Sequence, residues 1–176
     1  RLKLEADFTT VELITSGVTT FMEFGTKLPM QEALLESVTQ LGNRAYLAAS
    51  FESGDYSCND TGFPEFHWDE DAGQKEFEDG LAFLDGVSGS ADDRIRGILV
   101  PRHVESCSPA LLRACLKKAR ESGMPVAIHA AYNVHEFYQM VVREGKTPIE
   151  FLKDLGFLDL GPLLNIGHCN FLGELA

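Results

Sequence analysis

The sequence predicts an α/β fold built on a parallel sheet. Three observations carry that prediction. Strand-like and helix-like segments alternate about five times along the 176 residues, the pattern of βα units. The helical segments are bounded by start and stop residues, so the alternation is sharply punctuated. No GxGxxG follows the first strand and no GxxxxGK[ST] occurs, which removes support from nucleotide-binding versions of an open sheet. Two architectures remain open at this point, a doubly wound sheet and a closed barrel. A closed barrel takes about 250 residues and eight strands.

The elements follow in order. Residues 18–24 (VTTFMEF) are rich in β-branched and aromatic residues and follow Gly17, which would cap a preceding helix. Leu34, Leu35, Val38 and Leu41 recur at helical spacing over 30–41, and Gly42 ends that helix. Residues 44–51 (RAYLAASF) read as a second strand. Residues 52–73 read as a long polar, aromatic loop of the kind that often serves as a lid or substrate wall. A helix over 75–84 presents Phe77, Leu81 and Leu84 on one face, and 95–100 (IRGILV) is a third strand.

The next helix has the clearest signals. Ser108 is a good N-cap, Pro109 suits the first turn, and Leu111, Leu112, Cys115, Leu116 and Ala119 form a stripe that Gly123 terminates. Residues 125–128 (PVAI) form a short buried strand. Asn133 with Glu136, and Thr147 with Glu150 behind Pro148, are capping-box pairs for two more helices. Residues 163–166 (LLNI) are the fifth strand, and 171–174 open a new loop or helix.

Composition narrows the function classes. The formal net charge of -12 disfavours nucleic acid as a partner and reads first as a solubility feature. No apolar run approaches the roughly 18 to 20 residues of a membrane span, and the N-terminus lacks a signal-peptide core. The four cysteines, Cys58, Cys107, Cys115 and Cys169, form no CxxC pair, so a reducing cytoplasm is the default setting.

His129 and His168 stand at or just past the C-terminal ends of two short apolar strands, the end where parallel α/β folds build sites. Together they suit one metal ion, or one ligand and one proton-handling group. The alternative is two core histidines bonded to backbone. His103 follows the third strand and could orient a substrate, with Arg102 beside it for an anionic group; equally, both could be loop residues that merely solvate the rim. Phe63, Phe66 and Trp68 in the long loop could form an apolar pocket wall, or simply a surface. Glu23 is a pocket carboxylate or a paired structural one, and His135 reads as an exposed helix residue. Cys169 is not read as a nucleophile, because adjacent strand residues point to opposite faces and His168 could not activate it.

Several segments in order resemble the amidohydrolase superfamily, in particular its deaminase and chlorohydrolase branch. They are Glu12-Leu13-Ile14-Thr15-Ser16-Gly17-Val18-Thr19-Thr20, Cys107-Ser108-Pro109-Ala110-Leu111-Leu112, His129, Gly145-Lys146-Thr147-Pro148-Ile149-Glu150-Phe151-Leu152 and His168-Cys169-Asn170-Phe171-Leu172. The resemblance weakens over 53–91. It implies a partial TIM-type (β/α)8 barrel, about strands 2 to 6 with their helices, with residues 1–176 the central part of one domain. The family's HxH pair would lie upstream of Arg1 and its last metal-binding Asp downstream of Ala176. The resemblance also implies a divalent metal, zinc first with iron or manganese as alternatives. His129 and His168 would be ligands, with His168 also catalytic, and His103, Tyr132, Arg102 and Trp68 would face the substrate. The expected activity is hydrolysis of a carbon–nitrogen or carbon–halogen bond in a small, cyclic, nitrogen-rich compound by a metal-activated water. Homo-oligomers are common in the family. Tyr132 departs from the pattern, since many members carry Glu there. A phenol with a pKa near 10 is a poor base at neutral pH. That departure motivates the rival expectation of a catalytically inactive, barrel-derived binding protein. A third expectation is an open-sheet protein whose histidines are purely structural.

Overall fold

The structure, a computed structural model, describes residues 1–58, 60, 61 and 64–173. Phe63 and Glu174 lie outside the described residues.

Helix α1 spans Leu2–Thr15, and Gly17 follows it with φ 84°, a left-handed conformation glycine adopts without strain. Strand β1 is shorter than the sequence suggested, Thr20–Met22. Its end is set by Glu23, whose carboxylate accepts hydrogen bonds from the backbone N–H groups of Gly25 and Thr26 and turns the chain. Helix α2 (Leu28–Leu41) closes on Gly42, as read.

The single strand expected over 44–51 is two, β2 (Arg44–Leu47) and β3 (Ser50–Phe51). The break has a cause. The Ala48 N–H donates to the side chain of Gln31, a fully buried residue of α2, and the Ser50 N–H donates to the Thr26 carbonyl. The strand expected over 95–100 is likewise split into β6 (Ile95–Gly97) and β7 (Val100–Pro101), numbered after the hairpin described next.

The expected loop over 52–73 is largely ordered secondary structure. Strands β4 (Gly54–Cys58) and β5 (Pro64–Trp68) pair antiparallel, with Tyr56 opposite Phe66. A ring contact supports the pairing, with Tyr56 and Phe66 centroids 4.7 Å apart, and along β5 the Phe66 and Trp68 rings lie 4.6 Å apart. Helix α3 then runs Glu70–Val87, five residues earlier than the apolar face implied, because Asp69 caps it by accepting from the Ala72 N–H.

Helix α4 (Pro109–Ser122) starts on the Ser108 cap and ends on left-handed Gly123. Strand β8 is Val126–Ala130, α5 is Val134–Glu144, and α6 is Pro148–Leu155 with the Thr147–Glu150 capping box formed. A 3-10 segment, Phe157–Leu163, leads into β9 (Leu164–His168).

Excluding the hairpin, the strands are parallel and lie in chain order. β1 pairs with β2, β2 with β6, β3 with β7, and β8 with β9. Parallel bridges Leu99–Val126 and His103–His129 join β8 to the preceding strand. The helices pack on one face. Val126, Ile128 and Ala130 of β8 point into a cluster with Leu112, Cys115, Met140 and Leu152. The alternate residue, Ala127, points to a smaller cluster with Ala48, Ile98 and Val100, backed by Met22, Phe24 and Tyr46 and by no helix. Across this second face β1 reaches β9, where the Asn165 amide lies 3.6 Å from the Met22 sulfur. The sheet is therefore curled, with helices outside. A doubly wound sheet carries helices on both faces and reverses its strand order, so that alternative does not describe the fold. Among the described residues β1 and β9 are each paired on one side only.

Candidate active site

The C-terminal ends of three neighbouring strands bring four rings together. His103 and His129 sit side by side through the backbone bridge, with ring centroids 5.0 Å apart. His129 and His168 are 5.2 Å apart, and Tyr132 lies 5.2 Å from His103 and 5.7 Å from His168.

Strand alternation alone does not produce this cluster. His129 has the same parity as Ala127, so it faces the concave side. Its register partner on β9 is Gly167, while His168 pairs with Ala130, whose side chain faces the helices. His168 reaches the cluster because the chain turns left-handed there, with φ 75° at His168 and 54° at Cys169. Such non-glycine conformations cost about 1–3 kcal/mol and persist where surrounding structure holds them. The same turn removes the premise used against Cys169. That thiol is nonetheless not activated, because burial and then the neighbouring Glu136 push its pKa up.

His129 Nε2 lies 2.9 Å from the Phe24 carbonyl oxygen. A carbonyl only accepts, so Nε2 carries the proton and Nδ1 carries the lone pair. Nδ1 is buried and has no hydrogen-bond partner. Burial is also the main reason the His129 pKa falls, so the ring is neutral near pH 7. A neutral imidazole with one nitrogen fixed to a backbone carbonyl and the other free is the usual state of a metal-ligating histidine. The chemistry of this nitrogen suits a divalent ion, but the donors present make only part of a coordination sphere. His129 and His168 supply two donors, fewer than a zinc site takes, and among the described residues no third His, Cys, Asp or Glu joins them. Gly167 keeps the space open, since a Cβ there would lie 3.2 Å from His129 Nδ1 and 3.0 Å from the Phe24 ring.

His103 is also neutral, its pKa lowered to about 4 by burial, then by His129 and Arg102. Tyr132 donates its phenol proton to Glu105 Oε1 at 2.8 Å, and burial raises its pKa. Arg102 and Trp68 are not in the ring cluster. Both line an adjacent open groove of 560 Å³, with Lys27, Glu52 and Glu76. There Arg102 already pairs with Glu52 at 2.7 Å, and Lys27 pairs with Glu52 and Glu76, so the Arg102 charge is balanced within the protein. Trp68 packs under the Arg143 guanidinium, 4.9 Å from ring centroid to Arg143 Cζ. Glu23 is the structural carboxylate of the two readings. His135 is a correction: it is half-buried against Tyr56, 5.8 Å between rings, because the hairpin folds over α5.

Sequence reasoning missed Glu105 and misread Glu136. Both are fully buried. Glu136 does not simply reciprocate the Asn133 cap. Its carboxylate accepts from the N–H groups of Ala131 and Tyr132 and holds the turn beyond β8. Its pKa rises to about 7, through burial first and then Glu105, with the Cys169 thiol also nearby. A raised carboxyl pKa stabilises the fold fully below the unfolded value of 4.5, and that contribution is lost as pH rises through about 7. Denaturation midpoints between pH 5 and 8 should fall with rising pH more steeply in the parent than in Glu136→Gln. Parallel slopes would refute this.

The chain matches the amidohydrolase family over residues 5–166. It is 32% identical over 164 residues to a 5-methylthioadenosine/S-adenosylhomocysteine deaminase of Archaeoglobus fulgidus, covering 93% of this chain and 35% of that protein. Among solved structures it resembles a zinc-bound adenosine deaminase from Xanthomonas campestris, with TM-score 0.72, 20% identity and coverage of 94% and 34% of the two chains. It also resembles atrazine chlorohydrolase from Arthrobacter aurescens complexed with zinc, with TM-score 0.69, 21% identity and coverage of 86% and 34%. The chain belongs to the amidohydrolase family. It spans about a third of the length of the curated relatives it matches.

Proposed function

We propose that these residues are the central part of one (β/α)8 barrel domain, about strands 2 to 6, of a metal-dependent hydrolase. It cleaves a carbon–nitrogen or carbon–halogen bond in a small, nitrogen-rich compound. The observation that carries this reading is the buried, unpartnered Nδ1 of a tautomer-fixed His129 beside His168. His129, through Nδ1, and His168 would hold the ion, zinc first with iron or manganese as alternatives. When bound, a divalent ion supplies a Lewis acid and lowers the pKa of water to about 7. The chain's own residues do the rest. Phe24 fixes the His129 ring through its carbonyl. His103, neutral, can donate to or accept from a ligand without adding charge, and Tyr132 borders the same space. In the reaction the oxygen of water ends on the substrate carbon, and the nitrogen leaves as ammonia or an amine, or the halogen as halide.

The relatives' names make adenosine derivatives the first substrates to try and chloro-s-triazines the second. The test is elemental analysis of the full-length protein beside ammonia and chloride release from those two classes. We expect about one or two divalent ions per chain and turnover of one class. Absence of metal after reconstitution with zinc, iron and manganese would overturn the reading. Metal without turnover across both classes would favour the rival reading, a binding protein, for which the phenol of Tyr132 is the supporting observation.

A further inference from the structure

The strongest unassigned group is Glu105. It is a charged-type side chain with no solvent exposure, placed by the loop after β7. That loop is held from three sides. The Val104 N–H donates to the His129 carbonyl, Arg143 Nη1 donates to the carbonyl of Glu105 itself, and the N–H groups of Ser53 and Gly54 both donate to the Ser106 carbonyl. Its carboxyl Oε1 accepts from the Tyr132 phenol at 2.8 Å; Oε2 is buried without a well-formed hydrogen bond, and the buried Tyr56 hydroxyl lies beside the carboxyl as a second phenol. A buried carboxyl is costly, so a fold that keeps one gives it something to hold. Besides Tyr56 of the hairpin, it holds the one ring of the cluster that is not an imidazole.

The chemistry follows from counting protons. A phenol has one proton and two lone pairs. As a carboxylate, or as an acid whose proton sits on Oε2, Glu105 accepts through Oε1, and the Tyr132 proton is then committed to it. Toward anything else in the site the phenol oxygen offers lone pairs.

We propose that Glu105 is a positioning residue that fixes Tyr132 as a hydrogen-bond acceptor at the histidine cluster, so the site selects substrates presenting an N–H or O–H donor there. This rests on the hydrolase reading above and adds to it a requirement on the substrate. An amino or hydroxyl group meets that requirement, whereas an isostere with only acceptors at that point leaves the phenol lone pair and its own acceptor facing each other.

The test uses the full-length protein and four variants: Glu105→Gln, Glu105→Leu, Tyr132→Phe and the Leu/Phe double. Crystal structures of the parent and Glu105→Leu report the Tyr132 ring, elemental analysis reports metal, and steady-state kinetics use 5'-deoxyadenosine. We expect the ring in Glu105→Leu to leave its place beside His103 while metal content stays at the parent level. KM should rise by about tenfold in Glu105→Leu and in Tyr132→Phe, the size of one lost hydrogen bond, with kcat changing less. The double variant should be no worse than either single, and Glu105→Gln, which keeps an acceptor, should stay within about threefold of the parent. An unmoved ring in Glu105→Leu, or additive losses in the double variant, overturns the proposal. If the parent holds no metal and turns over nothing, the hydrolase reading fails, and the ring position in Glu105→Leu still decides whether Glu105 positions Tyr132.

Discussion

In the full-length protein, His129→Ala should lose bound divalent metal and hydrolytic activity together, while folding survives. The ring is only partly buried and packs edge-on against Phe24 at 4.7 Å. Removing it deletes the Nε2–H bond to the Phe24 carbonyl, a loss of about 1 kcal/mol of stability. The effect on chemistry is far larger. Disturbing a group that merely supports a metal ligand already costs about 10- to 100-fold in affinity, and here the proposed ligand nitrogen itself goes. A drop in kcat/KM of about 1,000-fold or more is expected, equivalent to about 4 kcal/mol of transition-state stabilisation. Elemental analysis and initial rates on the same preparation check it. Unchanged metal content in His129→Ala would remove this residue from the metal site.

A second large effect, on stability, is expected at Gly73, and its sign runs against helix propensity. Gly73 lies inside α3, where glycine to alanine ordinarily gains about 0.5–1 kcal/mol. A Cβ at this position would sit 2.8 Å from the Ser53 Cα and 2.9 Å from the Glu52 carbonyl oxygen, both backbone atoms. That backbone cannot easily retreat. Ser53 donates its N–H to Ser106, accepts from the Asp69 N–H, and accepts at Oγ from the Ser108 N–H. Overpacking of this kind costs about 1–3 kcal/mol, so Gly73→Ala should be net destabilising by about 1–2 kcal/mol. Gly86, on the exposed side of the same helix, has no atom within 4 Å of the added Cβ. Gly86→Ala should therefore stabilise by about 0.5–1 kcal/mol. Urea denaturation of both variants checks the pair, and a stabilised Gly73→Ala would show that the contact yields.

Much of the helical framework was legible because its signals are local. Ser108, Gly123, Thr147 and Gly42 act within a turn of themselves, and the structure finds each in the capping role read for it. Strand ends were less legible because distant side chains set them, as Gln31 of α2 does for the break between β2 and β3. The hairpin escaped notice although Tyr56 and Cys58 alternate with Asp55 and Ser57, and Phe66 and Trp68 with Glu65 and His67, because both runs are short and polar-rich and the hairpin's place depends on a ring packing onto α5. Asn59, Asp60 and Gly62, residue types common in turns, between two aromatic-bearing runs of sequence were the available clue. For the site, strand-end placement drew attention to His103, His129 and His168. Glu105 carried no such mark, since its meaning arises only from a phenol 27 positions away. The sequence offers Arg102 as a holder of an anionic group and does not reveal its pairing, because its partner Glu52 is 50 positions distant.

The in-register pairing of β8 with β9 makes the histidine cluster a gauge of strand alignment. His129 has room at Nδ1 only because the residue directly across from it, Gly167, has no side chain. A slip of β9 by one residue would present Ile166 or His168 at that point, and either would crowd the imidazole that Phe24 already pins from the other side. The arrangement of the cluster and the correct threading of the sheet are thus one condition, and a misaligned chain would lose the proposed metal ligand without losing its overall secondary structure.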